Sequence, residues 1–187
     1  MKHLELDFVI YLGDPDEGAE CVESRAALEG VDAYADRLSF PDVYGALIIK
    51  RGGQEVVERK PDPIFSLITN LVRAVPYVIE GESERCVLAE SEHGLSIEPS
   101  GDDVFVAFFA GDPYEPDDYL LEQTLMPLAD FAEQTLSMGE RLRDLIKKVS
   151  PASFEDDYMK SLLEFLEVGR DAFKTFKLEV ERGLRVT

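Results

Sequence analysis

Leu4, Leu6, Phe8, Ile10 and Leu12 recur at every second position, the period a half-buried strand requires, and Gly13-Asp14-Pro15 ends the run. Residues 14–40 are acidic and ambiguous, with a short helix expected somewhere within Ala19–Leu38 before Phe40-Pro41-Asp42. Tyr44–Ile49 and Glu55–Arg59 flank Arg51-Gly52-Gly53-Gln54 and read as a hairpin, because paired glycines reach the positive φ values of a tight turn. The spacing of Ile64, Phe65, Leu67, Ile68, Leu71, Val72 and Val75 then turns helical. Asp62 is placed to cap this helix, Pro63 suits its first position, and the helix is expected to end near Pro76. Three further strands follow at Cys86–Ala89, Leu95–Ile97 and Val104–Phe109, joined by turns short enough to make an antiparallel meander.

Tyr119–Met126 reads as one more strand, and Pro127 opens a helix whose face runs through Leu128, Phe131, Ala132, Thr135, Met138, Leu142, Leu145, Ile146 and Val149. Ser150-Pro151 closes it, and Ser153 is expected to cap a last helix carrying Phe154, Tyr158, Leu162, Phe165, Leu166, Gly169, Phe173, Phe176 and Val180. A helix of about 30 residues would run about 45 Å, and a chain of this size is about 40 Å wide. Either Gly169 breaks the helix, the reading preferred here, or its Phe165–Phe176 face extends to meet a partner or a second copy. The pattern therefore predicts an α+β fold: an antiparallel sheet with helices packed on one face and a long C-terminal helical segment. Residues 1–187 form a single domain in this reading, sheet-rich over 1–126 and helical over 127–183.

Charge changes the picture more than composition does. Apolar residues at 45%, with eleven Phe and seven Tyr, suffice for a folded core. Against this stands a net charge of −20, distributed as −6 over residues 1–60, −11 over 61–118 and −3 over 119–187. Such a field repels phosphate backbones and anionic membranes and attracts basic proteins, so nucleic-acid and membrane partners are not expected. No apolar run reaches the roughly 20 residues of a membrane span, and the start lacks the apolar stretch of an export signal, so a cytoplasmic protein is expected. Cys21 and Cys86 fit no metal spacing and are expected to stay reduced as small apolar groups.

Motifs for catalysis are missing. The chain has two histidines, His3 near the terminus and His93 in a Glu92-His93-Gly94 turn where exposure is expected, and it lacks a nucleophile elbow, a Cys-His pairing, a phosphate-binding glycine loop and a zinc helix. The loops Asp14-Pro15-Asp16-Glu17-Gly18 and Asp112–Asp118 offer oxygen ligands for calcium without the spacing of a known site. With 39 acids, close carboxylate pairs are expected by chance, so composition nominates no catalytic dyad. No cofactor is expected, and catalysis is the lesser expectation.

The middle third carries the candidate site. Glu80, Glu82, Glu84, Glu90, Glu92 and Glu98, together with Asp112, Glu115, Asp117 and Asp118, are expected to gather into an acidic docking field for a basic partner. Tyr114 is expected to be its aromatic contact, while one of Phe108 and Phe109 must face the core. Acids spread for solubility or salt tolerance are the competing explanation.

The succession of the hairpin, the helix around Ser66-Leu67-Ile68-Thr69-Asn70-Leu71-Val72, the strands through Val87-Leu88-Ala89-Glu90 and Val104–Phe109, and the helix opened by Pro127-Leu128-Ala129-Asp130-Phe131 resembles the small acidic immunity proteins of bacterial polymorphic and contact-delivered toxin systems. The resemblance covers residues 44–149 and is one of layout and composition. It implies a non-enzymatic inhibitor that neutralises a basic toxin domain by stoichiometric binding. Two alternatives stand beside it: a carboxylate- or metal-dependent hydrolase, and a homodimeric assembly protein joined through the Phe165–Phe176 face.

Overall fold

The computed structural model describes residues 3–184, and the fold is α+β. Two antiparallel sheets replace the single sheet that the pattern suggested. The first has strand order β2-β1-β3-β4, where β1 is Leu4–Leu12, β2 Glu20–Glu23, β3 Tyr44–Arg51 and β4 Gln54–Glu55; the two-residue β5 (Asp62–Pro63) also pairs with β3. The second is the expected meander of β6 (Glu84–Val87), β7 (His93–Ser100), β8 (Asp103–Gly111) and β9 (Pro116–Pro127). Among the described residues four α-helices accompany them: α1 (Ser24–Glu29), α2 (Ile64–Ile79), α3 (Leu128–Val149) and α4 (Asp157–Glu181). One apolar cluster takes residues from both sheets and all four helices.

The alternation in β1 sends Leu4, Leu6, Phe8, Ile10 and Leu12 into that cluster, while Val9 turns to the opposite face, where Ala46 and Ile48 of β3 join it in a small second cluster. Because β2 pairs only with residues 9–12, the first half of β1 has one edge uncovered by a strand. Helix α3 covers it. The Gln134 amide oxygen accepts from the Leu6 amide at 2.6 Å, and Arg141 donates to Asp7 at 2.7 Å, where the Ser24 hydroxyl also donates. Polar side chains aimed at a strand edge satisfy its backbone and block pairing with another chain.

Several local expectations gave way to packing. Helix α2 passes through Pro76 but does end near it, at Ile79, where Gly81 at φ +94° closes the turn and the Glu82 amide donates to the Tyr77 carbonyl. Asp62 is not the cap of α2; Pro63 holds that position without a side-chain bond, and Asp62 is recruited elsewhere. The short helix expected within Ala19–Leu38 is α1, and the rest of residues 14–40 forms β2, drawn onto β1 as an edge strand, and 3-10 turns. The second arm of the hairpin leaves the sheet after Glu55, and Arg59 folds back to Glu55 and to the Cys21 sulfur at 3.0 Å. Cys86 is buried and Cys21 half-buried, both as free thiols.

Helix α4 runs unbroken through Gly169, contrary to the preferred reading. Its start shifts to Asp157 because Pro151–Glu155 forms a 3-10 turn in which Ser153 pairs with Ser150 instead of capping the helix. At 25 residues it spans about 37 Å, short enough to lie across the core. Gly169 serves packing: a Cβ there would stand 2.7 Å from Leu136, and one at Gly139 would stand 2.6 Å from Val72. These two glycines let α2, α3 and α4 approach closely. Phe173 and Phe176 are buried, so the Phe165–Phe176 face is largely filled from within the chain and leaves a second copy only the edge around Phe165 and the exposed Val168. Among the described residues no helix is long and apolar enough to cross a membrane.

Candidate functional site

The acids of the middle third do not form one field. Glu80 and Glu82 are exposed in the turn between α2 and β6, and Glu84 is held at 3.1 Å by Arg73 of α2 on the helix side of the sheet. Glu98 lies on the opposite face, where Gln123 donates to it at 2.9 Å. Glu92, Asp112, Glu115, Asp117 and Asp118 do come together, because the register His93↔Ala110 puts the β6–β7 and β8–β9 connections at the same end of the meander and the Gly111 amide donates to the Glu92 carbonyl at 2.7 Å. Within this group Asp112 is spent on local geometry, accepting from the amides of Tyr114 and Glu115. Gly111, at φ +91°, leaves room for Asp117, whose carboxylate oxygen lies 2.4 Å from where a Cβ would stand.

Strand β8 explains what this acidic end borders. The run Val104-Phe105-Val106-Ala107-Phe108-Phe109 is apolar on both faces; Val104, Val106 and Phe108 join the core, and Phe105, Ala107 and Phe109 point away from the helices. Phe109 is fully buried even so. Its ring covers Gly94 on the neighbouring strand, where a Cβ would meet the ring at 2.6 Å. The pairings Val87↔Gly94, Gly94↔Phe109 and Phe109↔Tyr119 line up one apolar row across the sheet, with Val87 and Tyr119 each 43% exposed at its ends. A second row pairs Glu98, Phe105 and Leu125. Tyr114, 81% exposed, extends from the acidic loop with its ring 5.6 Å from the Arg85 guanidinium. The candidate site is therefore a strip of exposed Val87, Tyr119 and Tyr114 around the buried Phe109, with carboxylates at one end. Val87, Phe105 and Leu125 were missed by sequence reasoning, although the two-sided apolar run in β8 was a signal that the outer face needs cover.

A second feature lies beside the first. A cleft of about 610 Å³ opens at the far end of β1, lined by Tyr11 and Asp14–Asp16, by Arg37, Ser39, Asp42 and Tyr44 on the approach to β3, by Lys60, and by Glu90 and Ser91 from the β6–β7 connection. Asp62 anchors that connection, accepting from the Glu90 amide at 2.8 Å while itself 1% exposed. Burial raises the Asp62 carboxyl above the usual carboxylate range, an effect the amides of Glu90 and Ala89 oppose. The nearby Glu90 carboxylate is the largest cause holding the Tyr44 phenol above its ordinary value, with burial second. His93, expected to be exposed, is half-buried against Phe108, and burial lowers its pKa.

The Asp62 geometry makes a pH prediction. A carboxyl that binds its proton more tightly when folded confers stability below its unfolded pKa of about 4 and loses it as pH rises through the folded value. Asp62→Asn keeps the acceptor and removes the titration, so its stability relative to the natural protein should grow as pH rises from about 4 to about 7. Denaturation midpoints measured across that range test this, and a pH-independent difference contradicts it.

Among the described residues no group of three or more His, Cys, Asp or Glu side chains is arranged to hold a metal ion, including in the two loops considered for calcium. No family model matches the chain, and neither the curated proteins nor the solved structures hold a match to it.

Proposed function

We propose that this protein is a non-enzymatic binding module that captures a basic protein on the outer face of its second sheet. The observation that carries the reading is the exposed surface of Val87, Tyr119 and Tyr114, backed by the buried Phe109, beside the Glu92, Glu115, Asp117 and Asp118 carboxylates. An apolar centre with a charged border is the anatomy of specific protein interfaces, in which desolvated aromatics supply affinity and the border steers encounter. Among the described residues no helix packs on this face: α2 and α3 lie against the other. The concrete form of the proposal is an inhibitor of a toxin domain, in keeping with the resemblance to acidic immunity proteins.

Capture from an extract of the source cells on immobilised protein tests the reading, with natural protein beside a Tyr114→Ala/Tyr119→Ala variant at about 50 and about 300 mM salt. A basic protein should be retained, less so at the higher salt, and its affinity should fall about tenfold or more in the variant. Retention indifferent to both changes, or of no basic protein at all, removes the proposal.

A further inference from the structure

We propose that the cleft between the end of β1 and the β6–β7 connection binds an organic cation, a guanidinium or primary ammonium on a short aliphatic stem. The inference is independent of the outer-face reading and rests on three properties of the cavity.

Its charge is unbalanced. Arg37 and Lys60 line the cleft but are already engaged, Arg37 with Glu20 and the Leu12 carbonyl at 2.9 and 2.7 Å, Lys60 with Glu58 at 2.7 Å. Among the described residues no cation pairs with Asp14, Asp16, Asp42 or Glu90, which line the same space. Its wall holds a polar atom in want of a partner: the Ser91 Oγ is buried and hydrogen-bonded to nothing. Apart from Ser39 and Gly13, its remaining lining is apolar or aromatic, with Tyr11, Tyr44, Pro15 and Pro61 offering surface to an aliphatic stem and ring faces to a cation. The volume lies within the range of small-molecule sites.

The type of cation follows from the donors. The carboxylates come from three separate segments and do not converge as metal ligands do. A planar or tetrahedral nitrogen group with several N–H donors can instead bridge dispersed acceptors, bonding Glu90 and Asp42 with charge assistance and reaching the Ser91 hydroxyl. Such a group can arrive free or as the arginine side chain of a peptide, and the experiment separates the two.

Backbone amide NMR spectra of the intact protein are recorded during titration with agmatine, with the tetrapeptide Gly-Arg-Gly-Gly amide, and with n-butanol as a neutral stem, at constant ionic strength. Saturable shifts at Val43, Tyr44 and Ser91 with agmatine support a free ligand; the same shifts with the peptide alone support an arginine side chain. In either case an Asp42→Asn/Glu90→Gln variant should weaken binding by about tenfold, the scale of one lost charge-assisted hydrogen bond, and its undisturbed spectrum elsewhere shows that it folds. The proposal is overturned if neither cation saturates below about 10 mM, if n-butanol binds equally well, or if the variant binds unchanged.

Discussion

Replacing Phe131 by alanine is expected to destabilise the protein by about 3–5 kcal/mol. The side chain is fully buried in α3, the helix that also covers the open edge of β1 and packs against both α2 and α4. Removing the ring takes away its transfer free energy and leaves a cavity that the elements packed around α3, each fixed by other contacts, cannot collapse to fill. Guanidinium denaturation followed by circular dichroism measures the change, with the slope of the transition held to that of the natural protein so that the midpoint reports stability alone. A loss below about 1 kcal/mol would mean that the centre of the helical layer is far looser than its packing shows.

Gly45→Val is expected to cost about 3 kcal/mol, the upper part of the range for overpacking. Gly45 lies in β3 where β1, β5 and the start of α2 converge, and a Cβ would stand 2.4 Å from the Val9 carbonyl oxygen and 2.8 Å from Ile64. A backbone oxygen in a paired strand cannot swing aside as a side-chain end does, so the strands must separate or α2 must lift. Either movement strains the bond from the Ile64 amide to the Val43 carbonyl, now 3.0 Å. Gly45→Ala, which adds the Cβ without branches, should fall between the natural protein and the valine variant in the same denaturation series. A valine variant as stable as the natural protein would show that the helix is not seated on this strand.

Much of the fold was legible because its signals are local. The alternation from Leu4 to Leu12, the helical spacing after Ile64 and after Leu128, and the short turns of the meander each depend on neighbours a few residues away. The same reasoning reads less from prolines and glycines, whose meaning depends on what packs beside them. Pro76 did mark a nearby end, but it also cannot bond the Val72 carbonyl, and that oxygen lies 3.9 Å from where a Cβ on Gly169 would stand, so proline and glycine share one close crossing of α2 and α4. Gly169 looked like a break because its missing side chain reads as flexibility until Leu136 is seen to occupy the space.

The candidate site divides along the same line. Tyr114 and the acids of Asp112–Asp118 could be named from one loop, since aromatic and charged residues adjacent in sequence remain adjacent in space. Of Glu80 to Glu98 only Glu92 joins them in this group, because a meander reverses direction at each turn and a strand alternates faces, which sends Glu84 to Arg73 and Glu98 to Gln123. The amino-acid order by itself determined the α+β class, most of its strands and helices, and the excess of negative charge, all of which follow from periodicity and composition. Only the tertiary structure decided that the strands part into two sheets, that Val87, Phe109 and Tyr119 meet in one row, and that Tyr11, Asp42 and Glu90 enclose a common cleft. Those outcomes depend on register and on packing between segments far apart in the chain, where pairing energies that no local pattern encodes select among many arrangements.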